Sequence, residues 1–177
     1  MNLNFRIYFT FLFFLITGCA SNSGTVEIRG GADKLANKIE ISTFNFERPF
    51  MGIVNPYDYF LRGFIDKSSQ KITHQVYFIV NSADWMYWDE ARFIFKGNIK
   101  NVPAREASSD VYCSEFGCAH YEDVVITLDS SVLKDWAAQT EDIKLRLVSS
   151  SSTKVIDIAI NPDEVKAYLD EVTKASN

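Results

Sequence analysis

The chain has 177 residues, 18 basic against 23 acidic side chains, a formal net charge of −5 and 47% hydrophobic residues. That is one domain's worth of chain with ample apolar material for a core, which excludes disordered, collagen-like and disulfide-mini-protein classes. The acidic balance speaks against nucleic acid as a partner, since no basic excess is present to neutralise phosphates, and the three cysteines are an odd number that needs an account.

Residues 1–18 carry one charged side chain, Arg6, followed by the apolar run Ile7–Ile16. As a helix that run is roughly 15 Å long, half of a ~30 Å hydrocarbon core, and so too short to span a membrane. A positive start, a short apolar stretch and then small residues are the layout of a secretory signal peptide, expected here over residues 1–18. The tetrapeptide Ile16-Thr17-Gly18-Cys19 resembles the lipobox of bacterial lipoproteins. The resemblance implies a diacylglyceryl thioether on the cysteine sulfur, cleavage before it and acylation of the new amino terminus. Cys19 is therefore the expected lipidation site and first mature residue. A chance LITGC after an ordinary signal would instead leave an exposed thiol in an oxidising compartment, a liability that the lipid removes. Each acyl chain buries CH₂ groups at about 0.8 kcal/mol apiece, so three chains hold a protein for good where one holds it only marginally.

In that family an aspartate after the cysteine favours the inner membrane. Ala20 and Ser21 stand there, which implies the outer membrane and leaves the leaflet open. Residues 19–24 form the expected lipidated tether. The small residues Ala20–Gly24 reach roughly 17 Å fully extended, which keeps the domain expected over 25–177 close to the lipid. Without Arg6 the mature chain is formally −6, so charge attraction would not draw it flat onto an anionic membrane.

From Thr25 onward the pattern is that of short strands. Val26 and Ile28, then Ile39, Ile41 and Thr43, alternate with polar residues. The phase slips at Phe44 and Phe46, which predicts a β-bulge near Thr43–Phe44. Asn55-Pro56 is a break. Tyr57–Asp66 and Lys71–Val80 read as an antiparallel hairpin about the polar turn Asp66-Lys67-Ser68-Ser69. Trp85–Phe95 reads as a strand ended by Gly97-Asn98, and Ala104–Tyr112 with Tyr121–Leu128 as a hairpin around two cysteines. Ile143–Leu147 and Val155–Ile160 form a last pair joined by Ser149–Ser152. About eight strands with regular turn signals predict a mainly β fold, an antiparallel β-sandwich.

Two helices are expected among them. Asp129 can cap a short helix over 130–138 with Val132, Leu133 and Trp136 on one side. The second runs over 162–174, with Asn161 as N-cap, Pro162 at the first position and Glu164 at the capping-box position. Its stripe Val165, Tyr168, Leu169, Val172 should pack back onto the strands; docking a partner is the alternative use of that single stripe.

Once Cys19 is lipidated, Cys113 and Cys118 remain as an even pair at the tip of a predicted hairpin, and a structural disulfide is expected. Their C-x4-C spacing is not that of a redox-active C-x-x-C. A metal site built from them and His120 would lack a fourth ligand, so no metal and no cofactor are expected. His74 shares a strand face with Ile72 and Val76, which reads as a hydrogen-bonded core histidine rather than a base. The sequence has no nucleophile, metalloprotease or phosphate-binding motif. The acid pairs Asp89-Glu90 and Glu122-Asp123 point to opposite faces of a strand, so catalytic residues are expected to be none.

The densest unusual feature is Trp85-Met86-Tyr87-Trp88. As a strand it sends Trp85 and Tyr87 to one side and Met86 and Trp88 to the other, with one pair entering the core. An exposed remainder among Trp85, Tyr87 and Trp88 would be a binding surface for a protein partner or a sugar. The segment DWMYWDEARF, the hairpin CSEFGCAHYEDV and the strand-to-helix ending Ile160-Asn161-Pro162 are together similar to small bacterial envelope lipoproteins of no assigned function, over most of residues 80–172. That resemblance implies a cell-envelope location and a shared frame, and it brings no catalytic residue. The expected role is an outer-membrane lipoprotein, non-enzymatic, serving as a binding or assembly accessory for an envelope protein. The alternatives are a glycan or peptidoglycan module and, third, an enzyme without a known motif.

Overall fold

The computed structural model describes residues 24–45, 57–115 and 117–177. The expected signal peptide, Cys19 and the tether up to Ser23 lie outside them, as do Phe46 and the Asn55-Pro56 break. Nine strands are present among the described residues: β1 Thr25–Arg29, β2 Lys38–Asn45, β3 Tyr57–Asp66, β4 Ile72–Ser82, β5 Glu90–Phe95, β6 Asn98–Ser114, β7 Gly117–Leu128, β8 Ile143–Val148 and β9 Val155–Ile160. Two helices accompany them, α1 Ser130–Ala137 and α2 Pro162–Ser176. The mainly β, antiparallel class is as the periodicity indicates. The strands join in one continuous curled sheet, a half-barrel, in the order β1-β2-β3-β4-β7-β6-β5-β8-β9.

The 17-residue β6 makes the sheet continuous. It pairs with β5 over Asn98–Pro103 and with β7 over Ala104–Ser114. Pro103, which cannot donate to a ladder, sits at that handover. Two β-bulges add local bends. Between Thr25 and Glu27 on β1 the partner β2 advances from Asn45 to Ser42, so the extra residue falls at Thr43–Phe44, where the phase slip predicts it. The other lies at Ala107, between Glu106 and Ser108 of β6.

The concave face holds the core. Leu61, Val76 and Ile126 lie side by side on β3, β4 and β7, as do Tyr59, Phe78 and Val124. Ala91, Phe93, Leu145, Leu147 and Ile158 continue the apolar layer across β5, β8 and β9. Both helices cover this face. Trp136 of α1 is fully buried edge-on against Phe93, with ring centroids 5.1 Å apart. α2 lies over β1, β2 and β3 and against α1, its Val165, Tyr168 and Val172 buried and Leu169 partly so, as the stripe predicts.

The helix starts depart in detail. The Asn161 side chain accepts from Asp163 N–H at 2.8 Å, the expected cap. Asp129 makes no side-chain cap; its carboxylate faces Lys100 Nζ at 3.3 Å. Buried Glu164 accepts a hydrogen bond from Thr43 Oγ1, which in turn accepts from Leu61 N–H at 2.8 Å. A residue placed for a local cap thus ties α2 to the bulge of β2.

Candidate functional site at the root of a disulfide-closed ribbon

β6 and β7 run on past the end of β4, whose last residue Ser82 lies opposite His120. Beyond it they form a two-stranded ribbon, with Cys113 directly opposite Cys118 and the two sulfurs bonded. With both sulfurs in the bond, neither can serve as a metal-binding thiolate. Among the described residues no His/Cys/Asp/Glu group could hold a metal. The ribbon is exposed on both faces. Val111, opposite His120, is 45% exposed; Tyr112 is 68% exposed and Tyr121, on the same face as Tyr112, is 38% exposed. Past Ala104 the outer edge of β6 has no partner strand among the described residues.

At the root of the ribbon lies the Trp85–Trp88 segment, and here the sequence expectation is corrected. Residues 85–89 are not a strand; β5 begins at Glu90. The buried carboxylate of Glu122 takes the backbone that a neighbouring strand would otherwise pair. Met86 N–H donates to Glu122 Oε2 at 2.8 Å and Tyr87 N–H to Oε1 at 2.7 Å. Both lone donors are met by one side chain, so the segment turns, with Tyr87 in the left-handed region at φ 55°. Ser149 Oγ donates to Met86 O. Asp89 closes the loop: its N–H donates to Val148 O at 3.1 Å, its carbonyl accepts from Ala104 N–H at 2.9 Å, and its carboxylate receives Ser150 N–H. These bonds hold the Asp89 carboxyl below its usual range, the Ser150 hydroxyl contributing most.

The loop sorts its aromatics. Trp88 is 5% exposed and Met86 packs against the core, so Trp88 is withdrawn from the expected binding surface. Tyr87 is 58% exposed. Trp85 is partly exposed and stands edge-on to His120 with centroids 4.7 Å apart. Trp85 thus meets His120, which lies opposite Val111 at the ribbon's base, while Tyr87 faces solvent from the same loop.

His74 and the Glu122-Asp123 pair fall as their strand positions imply, whereas Asp89 lies in the loop before β5. His74 is buried, with Nδ1 2.8 Å from the Tyr168 hydroxyl and Nε2 2.8 Å from Ser130 Oγ, and burial lowers its pKa. It links β4, α2 and α1 as a structural residue. Glu122 points into the concave side, whereas Asp123 faces outward and accepts from the Tyr77 hydroxyl at 2.7 Å. Burial and that bond push the Tyr77 phenol up to about 12.

One cluster escaped the sequence reading. On the convex face Phe60 stacks on Tyr77 at 4.7 Å, and the Arg62 guanidinium lies over Tyr77 at 4.7 Å and Phe64 at 5.0 Å while bonding Gln75 Oε1. Phe60, Arg62 and Tyr77, with Phe44 and Asp123, help line a depression of about 340 Å³. The signal was aromatic residues at both parities of β3 and β4, where a sheet with one wet face would keep them on one. A larger trough of about 590 Å³ crosses the outside of β5, β8 and β9 beside Ile94, Ile99, Lys144 and Arg146. No protein-family model, curated protein or solved structure matches the chain.

Proposed function

We propose that this chain is an outer-membrane lipoprotein, anchored through Cys19, whose domain is a non-enzymatic binding or assembly accessory of the cell envelope. The anchor rests on the Leu15-Ile16-Thr17-Gly18-Cys19 sequence after a short apolar run. The binding role rests on one observation: a solvent-facing Tyr87, beside Trp85, on a loop whose backbone is clamped by Glu122, Ser149 and Asp89. Rigid aromatic anchors lose little entropy on docking, which is what an interface hot spot requires. The glycan reading now has Trp85 and Tyr87 to work with, since Trp88 is buried.

Two measurements in cells test this. Wild-type chain should fractionate with the outer membrane and carry the mass of three acyl chains, whereas Cys19→Ala should lose both; a Cys19→Ala protein that still fractionates with membranes refutes the anchor. A photo-crosslinking residue at position 87 should capture one envelope protein that the same residue at exposed position 99 does not. Retention of the domain on peptidoglycan, abolished by Tyr87→Ala, would replace that reading with the glycan one.

A further inference from the structure

Beyond Ala104 the outer edge of β6 carries backbone groups with no partner strand among the described residues, and the register fixes which ones. In an antiparallel pair, residues that exchange hydrogen bonds have Cα atoms about 5.5 Å apart, and residues whose N–H and C=O turn away from each other about 4.5 Å. Cys113 and Cys118 are directly opposite with Cα atoms 4.0 Å apart, so theirs is a non-hydrogen-bonded pair. No register shift separates it from the Val111–His120 and Ser109–Glu122 pairs. The N–H and C=O groups of Ser109, Val111 and Cys113 therefore point away from β7, out of the open edge. Two bonds agree with this parity. Val111 N–H donates to Oδ1 of its neighbour Asp110 at 2.8 Å, outside the ladder. Ala104 N–H, on the same edge before the bulge at Ala107, donates to Asp89 O at 2.9 Å.

β5 covers this edge only up to Pro103, and Asp89, at the end of the Trp85–Asp89 loop, takes the next position. The bulge at Ala107 then interrupts the edge, which leaves Ser109–Cys113 as one regular run. Every residue from Arg105 to Ser114 is exposed, and none is the proline or lysine with which natural sheets blunt an edge. Charge narrows what could pair there. Residues 106–123 contain five acidic side chains and no lysine or arginine. On one face of the run Asp110 lies opposite Tyr121 and two residues from Tyr112, both of them exposed. A carboxylate beside two phenol rings is a seat for a cation, by charge and by cation–π attraction. On the other face Val111 offers an apolar contact opposite His120.

We propose that Ser109–Cys113 is a strand-docking edge, and that its occupant is an extended segment of the envelope partner carrying a lysine or arginine. Only an extended backbone presents donors and acceptors at the spacing of this edge. The segment adds antiparallel, as every strand of the sheet does. Its carbonyls take the N–H groups of Ser109, Val111 and Cys113, and its N–H groups take their carbonyls. A carbonyl at Val111 N–H releases Asp110, whose carboxylate then meets the cation alongside Tyr112 and Tyr121. A second copy of this chain is a poor occupant, because it would bring two acidic ribbons side by side. The inference deepens the binding role proposed above and rests on it for the partner's place in the envelope.

The test is made with the full chain in its own cells. A photo-crosslinking residue at position 109 should capture the same envelope protein as one at position 87, and mass spectrometry of the adduct should place the link in a segment containing lysine or arginine. Val111→Pro removes the outward N–H and should cut capture at position 109 at least ten-fold; Val111→Thr, which keeps it, should not. Because that N–H lies outside the ladder to β7, Val111→Pro should leave the urea midpoint of the purified chain near that of wild type. Asp110→Lys, with the backbone of the edge intact, should lower capture several-fold. Capture at position 87 but not at 109, capture of a second copy or of an acidic segment, or capture indifferent to Val111→Pro would each overturn the strand-docking edge. Loss of the fold in Val111→Pro would place its N–H in the ladder and overturn it too. Capture at 109 but not at 87 would leave the edge standing and remove Tyr87 from the binding role, and capture at neither position would end both.

Discussion

At Gly63, a single missing Cβ decides whether α2 can dock. Gly63 lies opposite His74 on the concave face, and a methyl group there would sit 2.2 Å from the Tyr168 hydroxyl oxygen. Gly63→Ala should therefore destabilise the fold by about 1–3 kcal/mol through overpacking, read as a lower urea midpoint at unchanged slope. Tyr168→Phe, which removes the obstructing hydroxyl, should return part of that loss in the double variant. An unaltered midpoint for Gly63→Ala would mean that Tyr168 is not seated there. The same hydroxyl meets His74, whose pKa burial lowers. With a folded value below the unfolded one of about 6.5, the unfolded chain takes the proton first. The stabilisation is complete above about pH 6.5 and lost as pH falls through the lower folded value. The drop in Tm between about pH 7 and pH 5 should then be smaller in His74→Gln than in wild type; equal slopes would sink this account. His74's structural role was legible from its phase with Ile72 and Val76. Its partners Tyr168 and Ser130, 94 and 56 residues away, were not.

Among the elements, those whose partners are local read true. The Tyr57–Asp66 and Ile72–Ser82 hairpin, the β8–β9 pair and α2 follow from alternation, turn residues and a single apolar stripe. In the first hairpin Asp66 accepts from the N–H and hydroxyl groups of Ser68 and Ser69, which hold its carboxyl far below the usual range. The Trp85–Asp89 segment misled because its alternating apolar residues fit a strand. What turns it is Glu122, a residue 35 positions further on. The ribbon is the element with the least support from the core, and its disulfide should act accordingly. Closing so short a loop contributes about 2 kcal/mol in the chain-entropy estimate. In Cys113→Ser/Cys118→Ser, amide protection from hydrogen exchange should fall in residues 108–119 while that of β3 and β4 persists. Loss of protection throughout would show that the ribbon is part of the cooperative core.

For the whole molecule, the sheet gathers the start of β1, the Trp85–Asp89 loop, the Ser149–Ser152 run and the ribbon at one end and the turns at Lys67 and Lys96 at the other. Exposed apolar side chains occur at both ends, Tyr87 and Tyr112 at the first and Leu35 and Ile99 at the second. By itself the sequence determined the mainly β class, most strand positions, both helices and the cysteine pairing. Each of these depends on spacing within one segment. Only the tertiary structure decided that the strands form one sheet, that Trp88 is core and Tyr87 surface, and that the ribbon and the start of β1 share an end. Those outcomes depend on which strand lies beside which. That choice is made by burying the concave face under Trp136 and Tyr168, over separations that no local pattern encodes.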